Sequence, residues 1–149
     1  MLPYLVEIAR GHVVIADIDE ILEGGALLGV PIADPAARDI WPAYDRLWAR
    51  IAGLVTRADI PVVLLVQVPG ADEPADPGLL GWEVEGSVRA DRLRSRGEHD
   101  ALIEDAAADA AVLRSILPAE RLVKTPPEAS PARCAEILWG QIVGLWGRR

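Results

Sequence analysis

A chain of 149 residues, just over half of them apolar and about a quarter charged, has the size and composition of one folded domain with a real core. Its formal net charge of -8 argues against a general nucleic-acid binder, which needs a basic surface to release counterions from phosphates. One cysteine permits no internal disulfide, no apolar run is long enough to span a membrane, and Met1–Ala9 lacks the basic stretch and cleavage site of a secretory signal; a soluble, cytoplasmic protein with no membrane partner is expected.

Apolar positions 2, 5, 8 and 9 suit the tail of an amphipathic helix closed by Gly11. Val13-Val14-Ile15-Ala16 is a short β-branched run of the kind buried on both faces of a parallel sheet, and it finishes in Asp17-Ile18-Asp19-Glu20. Ligands of open α/β sheets gather at the carboxyl ends of strands, so these carboxylates are candidates for a hydroxyl or a hydrated magnesium; a solvated strand end is the alternative. Glu23 to Pro35, with three glycines and two prolines, predicts a mobile connection or plain loop.

Ile40, Tyr44, Leu47, Trp48, Ile51, Leu54 and Val55 recur at helical spacing, with Asp34 or Asp39 available as N-cap and Pro42 tolerable in the first turn. Trp41 and Trp48, seven apart, share a face and are expected to fill the core. Val62 to Val68 is the clearest strand, Pro69-Gly70 breaks it, and Ala71 to Gly78 predicts an exposed loop. Leu79 to Val84 supplies a third strand. A helix follows on Leu102, Ala106, Ala110, Leu113 and Leu117, with Asp100 as cap and Pro118 as stop; then come a short strand over Arg121–Thr125 and a last helix opened by Ser130-Pro131. Strands alternating with helices predict a single α/β domain over residues 1–149, three layers with a parallel sheet between helices.

The polar chemistry concentrates in Gly81 to Gly97, which holds Arg89, Arg92, Arg94 and Arg96. At about 100° per residue, Arg89, Arg92 and Arg96 fall within roughly 60° of one another and Arg94 points away. Three guanidiniums on one flank repel each other and are favoured by an anion with several oxygens, such as a polyphosphate; a solvated face paired with Glu85, Asp91 and Glu98 is the alternative. Elsewhere the sequence is sparing. His12 and His99 lie in no metal-ligand spacing, Cys134 falls on an apolar stripe, and neither a Gly-x-Ser-x-Gly elbow nor a Gly-x-Gly-x-x-Gly loop occurs.

Asp17-Ile18-Asp19 after a strand, a helix into Pro61-Val62-Val63-Leu64-Leu65, Trp82-Glu83-Val84, then Val88-Arg89-Ala90-Asp91-Arg92-Leu93-Arg94-Ser95-Arg96-Gly97, Leu122-Val123-Lys124-Thr125 and Ser130-Pro131 together resemble the P-loop kinases of the adenylate and gluconate kinase type. The likeness runs from about Leu2 to the last helix, and Arg-x-x-Arg-Leu-x-x-Arg-Gly is its most specific piece. It implies ATP and magnesium as cofactors and a small-molecule phosphoryl acceptor as partner. It also implies that Arg92 and Arg96 meet phosphates with help from Arg89, that Asp17 or Asp19 orients the acceptor or its magnesium, and that Thr125 and Pro126 lie near the adenine.

The family's Gly-x-x-x-x-Gly-Lys-Ser/Thr loop, whose amides and lysine cradle the phosphates, is absent from these residues, and Gln67 stands where many members place an acidic metal ligand. The chain resembles such a kinase without its first strand and loop. Without the family's central strand, the neighbouring strands are expected to lack partners on their inner edges, with self-association through those edges as the consequence. Two functions follow: a nucleotide or small-molecule kinase, inactive as these 149 residues, or a non-catalytic α/β remnant that binds a partner or, weakly, a nucleotide.

Overall fold

The computed structural model describes residues 1–22, 26–27, 29–31, 35–68 and 78–147. Two compact units, Leu2–Val66 and Gln67–Arg149, divide the chain.

In the Leu2–Val66 unit, helix α1 (Leu2–Ala9) buries Leu5 and Ala9 and packs on strand β1 (Val14–Asp17). Arg10 and Gly11 both take positive φ, 51° and 75°, so the chain leaves the helix through a left-handed turn at the expected glycine. The stretch read as a loop contains a small antiparallel hairpin, β2 (Ala26–Leu27) with β3 (Val30–Pro31), whose Leu27 is buried; its remaining residues 23–25, 28 and 32–34 lie outside those described. Helix α2 spans Trp41–Arg57. Its cap corrects the expectation: Asp39 ends a 3-10 turn over Pro35–Asp39, and the N-cap position falls to Ile40, which has no side-chain cap. Pro42 sits in the first turn, where its missing N–H costs nothing. At the other end Asp59 adopts φ 57° while Asp59 N–H and Ile60 N–H reach back to Thr56 O and Val55 O, a Schellman closure. Strand β4 (Val62–Leu65) stops earlier than its apolar run, with Val66 half-exposed, and pairs parallel to β1 in the register Val14↔Val62 to Asp17↔Leu65.

The core of this unit is Ile18, Leu27, Tyr44 and Trp48, walled by Ala16, Leu22, Ile40, Trp41, Ile51 and Leu64. Trp41 meets Tyr44 edge to face at 5.5 Å. Both expected tryptophans therefore serve packing.

In the Gln67–Arg149 unit, β5 (Gly81–Glu83) pairs parallel with β6 (Leu122–Lys124), Gly81 opposite Leu122 and Glu83 opposite Lys124. Between them come α3 (Gly86–Ser95) and α4 (Asp100–Ile116). The cap of α4 is His99, without a side-chain hydrogen bond; Asp100 is instead the first helical residue, where its charge faces the positive end of the helix dipole. Gly81 is buried, and a Cβ there would come within 2.8 to 2.9 Å of Leu113, Leu117 and Leu122, so the strand approaches α4 only because that residue has no side chain. Helix α5 (Pro131–Trp146) opens as expected: Ser130 Oγ accepts from Arg133 N–H at 3.2 Å, with Pro131 in the first turn. Cys134, Ala135 and Leu138 are buried along its inner stripe.

The protein is therefore of mixed α/β class with parallel strands. It differs from the expected continuous sheet: among the described residues, the strands form three separate two-stranded pairs, β1–β4, β2–β3 and β5–β6.

Candidate functional site

The carboxyl end of β1 turns directly into a 3-10 helix over Ile18–Ile21, and its acidic side chains build that turn. Asp17 Oδ1 accepts from Asp19 N–H at 3.1 Å, and Glu20 Oε2 accepts from Asp17 N–H at 3.1 Å, a reciprocal capping box. Tyr44 O–H and Trp48 Nε1–H, the latter at 3.1 Å, both donate to Ile18 O, so two side chains of α2 anchor the same turn from below. Asp19 is exposed, yet its carboxyl titrates above the ordinary value, from partial desolvation first and from the neighbouring Asp17 carboxylate second. No cluster of three or more His, Cys, Asp or Glu able to hold a metal occurs among the described residues.

The carboxyl end of β5–β6 is built differently. After Val84 the chain enters α3 through Glu85, whose carboxylate accepts from Ser87 Oγ at 2.7 and 2.8 Å and from Ser87 N–H at 3.2 Å. Those bonds hold Glu85 below the ordinary carboxylate value. The positive end of α3 thus already faces a carboxylate, and an incoming anion is left the arginine flank. On that flank Arg89 Nη1 donates to Val84 O at 3.4 Å, and Arg92 Nη2 donates to Pro127 O at 3.1 Å, tying the helix to the turn after β6. Arg96 is the C-cap residue, exposed, and its guanidinium has no partner among the described residues. Gly97 at φ 82° ends the helix, with Gly97 N–H on Arg94 O and Glu98 N–H on Leu93 O. Arg94 turns the other way and pairs with Asp91 at 3.4 Å.

The end of β5 also carries contacts that the sequence did not single out. Glu83, at the end of β5, is mostly buried; Oε1 accepts from Arg114 Nη1 of α4, and Oε2 stands 3.9 Å from Nζ of Lys124, the chain's one lysine. Oε2 is buried and has no hydrogen-bond partner. Trp82 Nε1 donates to Thr125 Oγ1 at 3.2 Å, which satisfies the one buried polar side chain of the adjoining turn. A charged residue inside a three-residue strand hints at such a cluster. The parallel register that brings Lys124 beside Glu83 and Trp82 near Thr125 is not visible along the chain.

Of the residues singled out in sequence, Arg89, Arg92, Arg96, Thr125 and Pro126 fall in one unit, and Arg92 is joined to the Thr125–Pro127 turn by a hydrogen bond. Asp17 and Asp19 belong to the other unit, where the Asp17 carboxylate is bonded within its own turn and the exposed Asp19 carboxyl has no hydrogen-bond partner among the described residues. His12 and His99 are exposed and Cys134 is buried. The arginine flank can bind anionic oxygens. Comparison with protein-family models, with curated proteins and with solved structures gives no match.

Proposed function

We propose that the Gln67–Arg149 unit binds the phosphates of a nucleotide such as ATP on the Arg89–Arg92–Arg96 flank of α3, in the manner the resemblance to adenylate- and gluconate-kinase-type P-loop kinases implies. The observation that carries this is the Arg92–Pro127 hydrogen bond, which draws the arginine flank against the turn after Thr125 at the carboxyl end of a parallel strand pair. Arg92 spends one donor of five on that bond and Arg96 spends none, leaving forked donors for phosphate oxygens.

Binding without phosphoryl transfer is the form of the proposal for these 149 residues. Transfer depends on preorganised charge around the γ-phosphate. Here the sequence has no Gly-x-x-x-x-Gly-Lys loop and its one lysine faces Glu83. A phosphoryl acceptor site and a kinase activity belong to the proposal only for a form that supplies those groups. Equilibrium titration with ATP and with tripolyphosphate tests it: both are expected to bind with an affinity that falls as salt rises, with no ATP turnover above a mock preparation. Absence of binding to either rejects the phosphate site, and turnover rejects the non-catalytic form.

A further inference from the structure

Helix α2 carries a second group of arginines whose chemistry nothing above uses. Arg46, Arg50, Leu54 and Arg57 fall within about 80° of one another around the helix axis. Together with Ala49 they line one open groove, all five exposed. Leu54 is 60% exposed and Leu47, beside it, 46%. None of the three guanidiniums has an ion-pair or hydrogen-bond partner among the described residues. In a chain of net charge -8, an unpaired cationic strip edged by two exposed leucines is unusual, since acidic neighbours are plentiful.

The complementary surface is present on the same chain. Helix α4 exposes Asp100, Glu104, Asp105 and Asp109, also without ion-pair partners among the described residues. Around the axis they form two rows, Asp100 with Glu104 and Asp105 with Asp109, on either side of the exposed Ala101 and Ala108. Small residues between two acidic rows leave a trough for a leucine, and the i, i+4 spacing of each row matches that of Arg46 and Arg50.

We propose that α2 of one molecule docks on α4 of a second copy of this chain, with Arg46, Arg50 and Arg57 on the carboxylate rows and Leu54 on the Ala101–Ala108 strip. The contact joins two different helices, so every molecule brings both an α2 face and an α4 face to it. A single helix on a single helix is small beside the roughly 800 Å² per partner of a stable complex, and association is therefore weak and driven by charge. It does not depend on nucleotide binding.

Sedimentation velocity of the full chain tests this between about 0.05 M and about 0.5 M NaCl, across which the Debye length falls from about 14 Å to about 4 Å. The average mass is expected to rise with protein concentration at low salt and to return to the monomer at high salt. Arg46→Glu/Arg50→Glu and Asp105→Arg/Asp109→Arg, each checked for native circular dichroism, are each expected to weaken association at least about tenfold. An equimolar mixture of the two is expected to associate again, because each then meets an oppositely charged helix. A monomer at low salt overturns the proposal, including one whose arginines bind vesicles of anionic lipid. So does association that persists in both variants and at high salt, which marks strand-edge pairing, and so does failure of the mixture to associate.

Discussion

The ends of β1 and β5 pose the same problem with opposite solutions. Each strand runs in a parallel pair and passes at its carboxyl end into acidic residues followed by a helical turn. After β1 two of the three acids are consumed, Asp17 and Glu20 capping each other's turn while α2 fastens Ile18 O, and the Asp19 carboxyl stays exposed with no hydrogen bond among the described residues. After β5 the acids free the cations: Glu85 caps α3, Glu83 holds Arg114 and Lys124, and the arginine flank keeps donors unspent. Polar residues at a strand end thus mark a site only where their hydrogen bonds are incomplete. The first end spends most of its carboxylates on its own turn, and the second leaves the larger set of donors free.

The largest expected break in this comparison is Trp48→Ala, which removes the core of the Leu2–Val66 unit and one donor to Ile18 O. A loss of about 3 to 5 kcal/mol is expected for a buried tryptophan, read by urea unfolding, with amide exchange rising first in β1 and the turn after it. Tyr44→Phe leaves the packing and removes the other donor, for about 1 kcal/mol. If both are silent, the turn after β1 is not anchored as described.

In the other unit, Gly81→Ala drives a methyl against Leu113, Leu117 and Leu122. Leucine ends can yield, but three at once, with Leu113 and Leu117 buried, should cost about 1 to 3 kcal/mol in the same measurement. A neutral result would mean that β5 and α4 are not in close register.

A smaller effect separates the two ends by the sign of their pH dependence. Asp19 titrates above its ordinary value when folded, so its contribution is full at low pH, below the unfolded value, and is lost as pH rises through the folded one. Glu85 titrates below its ordinary value, so its contribution is present above the unfolded value and is lost as pH falls through the folded one. Carbon-detected NMR titration of the two carboxyls is expected to show shifts in opposite directions. Asp19→Asn should remove the first dependence and Glu85→Gln the second, and shifts of the same sign would erase the contrast.

Much of the architecture was legible because it depends on local chemistry. Ser130-Pro131 names a helix start through the serine oxygen and the proline's missing N–H, Gly97 names a helix end through its positive φ, and Trp41 and Trp48 name a core by their seven-residue spacing. The caps of α2 and α4 were misplaced because an aspartate beside a helix start serves equally as N-cap, as first-turn charge or as the end of a 3-10 turn, and only the backbone angles decide. The arginine flank was legible from helical phase. Arg92 reaching Pro127, and Glu83 gathering Arg114 and Lys124, were not, since each joins positions 31 or more apart, or faces across a register that short strands do not announce. The joining of all strands into one sheet was inferred from element order, which fixes neighbours in sequence but not hydrogen-bonded edges.

Binding of tripolyphosphate to Arg92→Ala, Arg96→Ala and Arg94→Ala, side by side with the unaltered chain, tests the central claim most directly. Arg94 lies on the opposite side of α3 in an exposed pair with Asp91, worth at most about 1 kcal/mol, so its removal is expected to leave both affinity and stability nearly unchanged. Removing Arg92 or Arg96 deletes a charge-assisted contact of about 1.5 to 3 kcal/mol, and each is expected to weaken binding by roughly 10- to 150-fold. Equal losses at 92, 94 and 96, or none at any, would contradict the assignment of the Arg89–Arg92–Arg96 flank as the phosphate site.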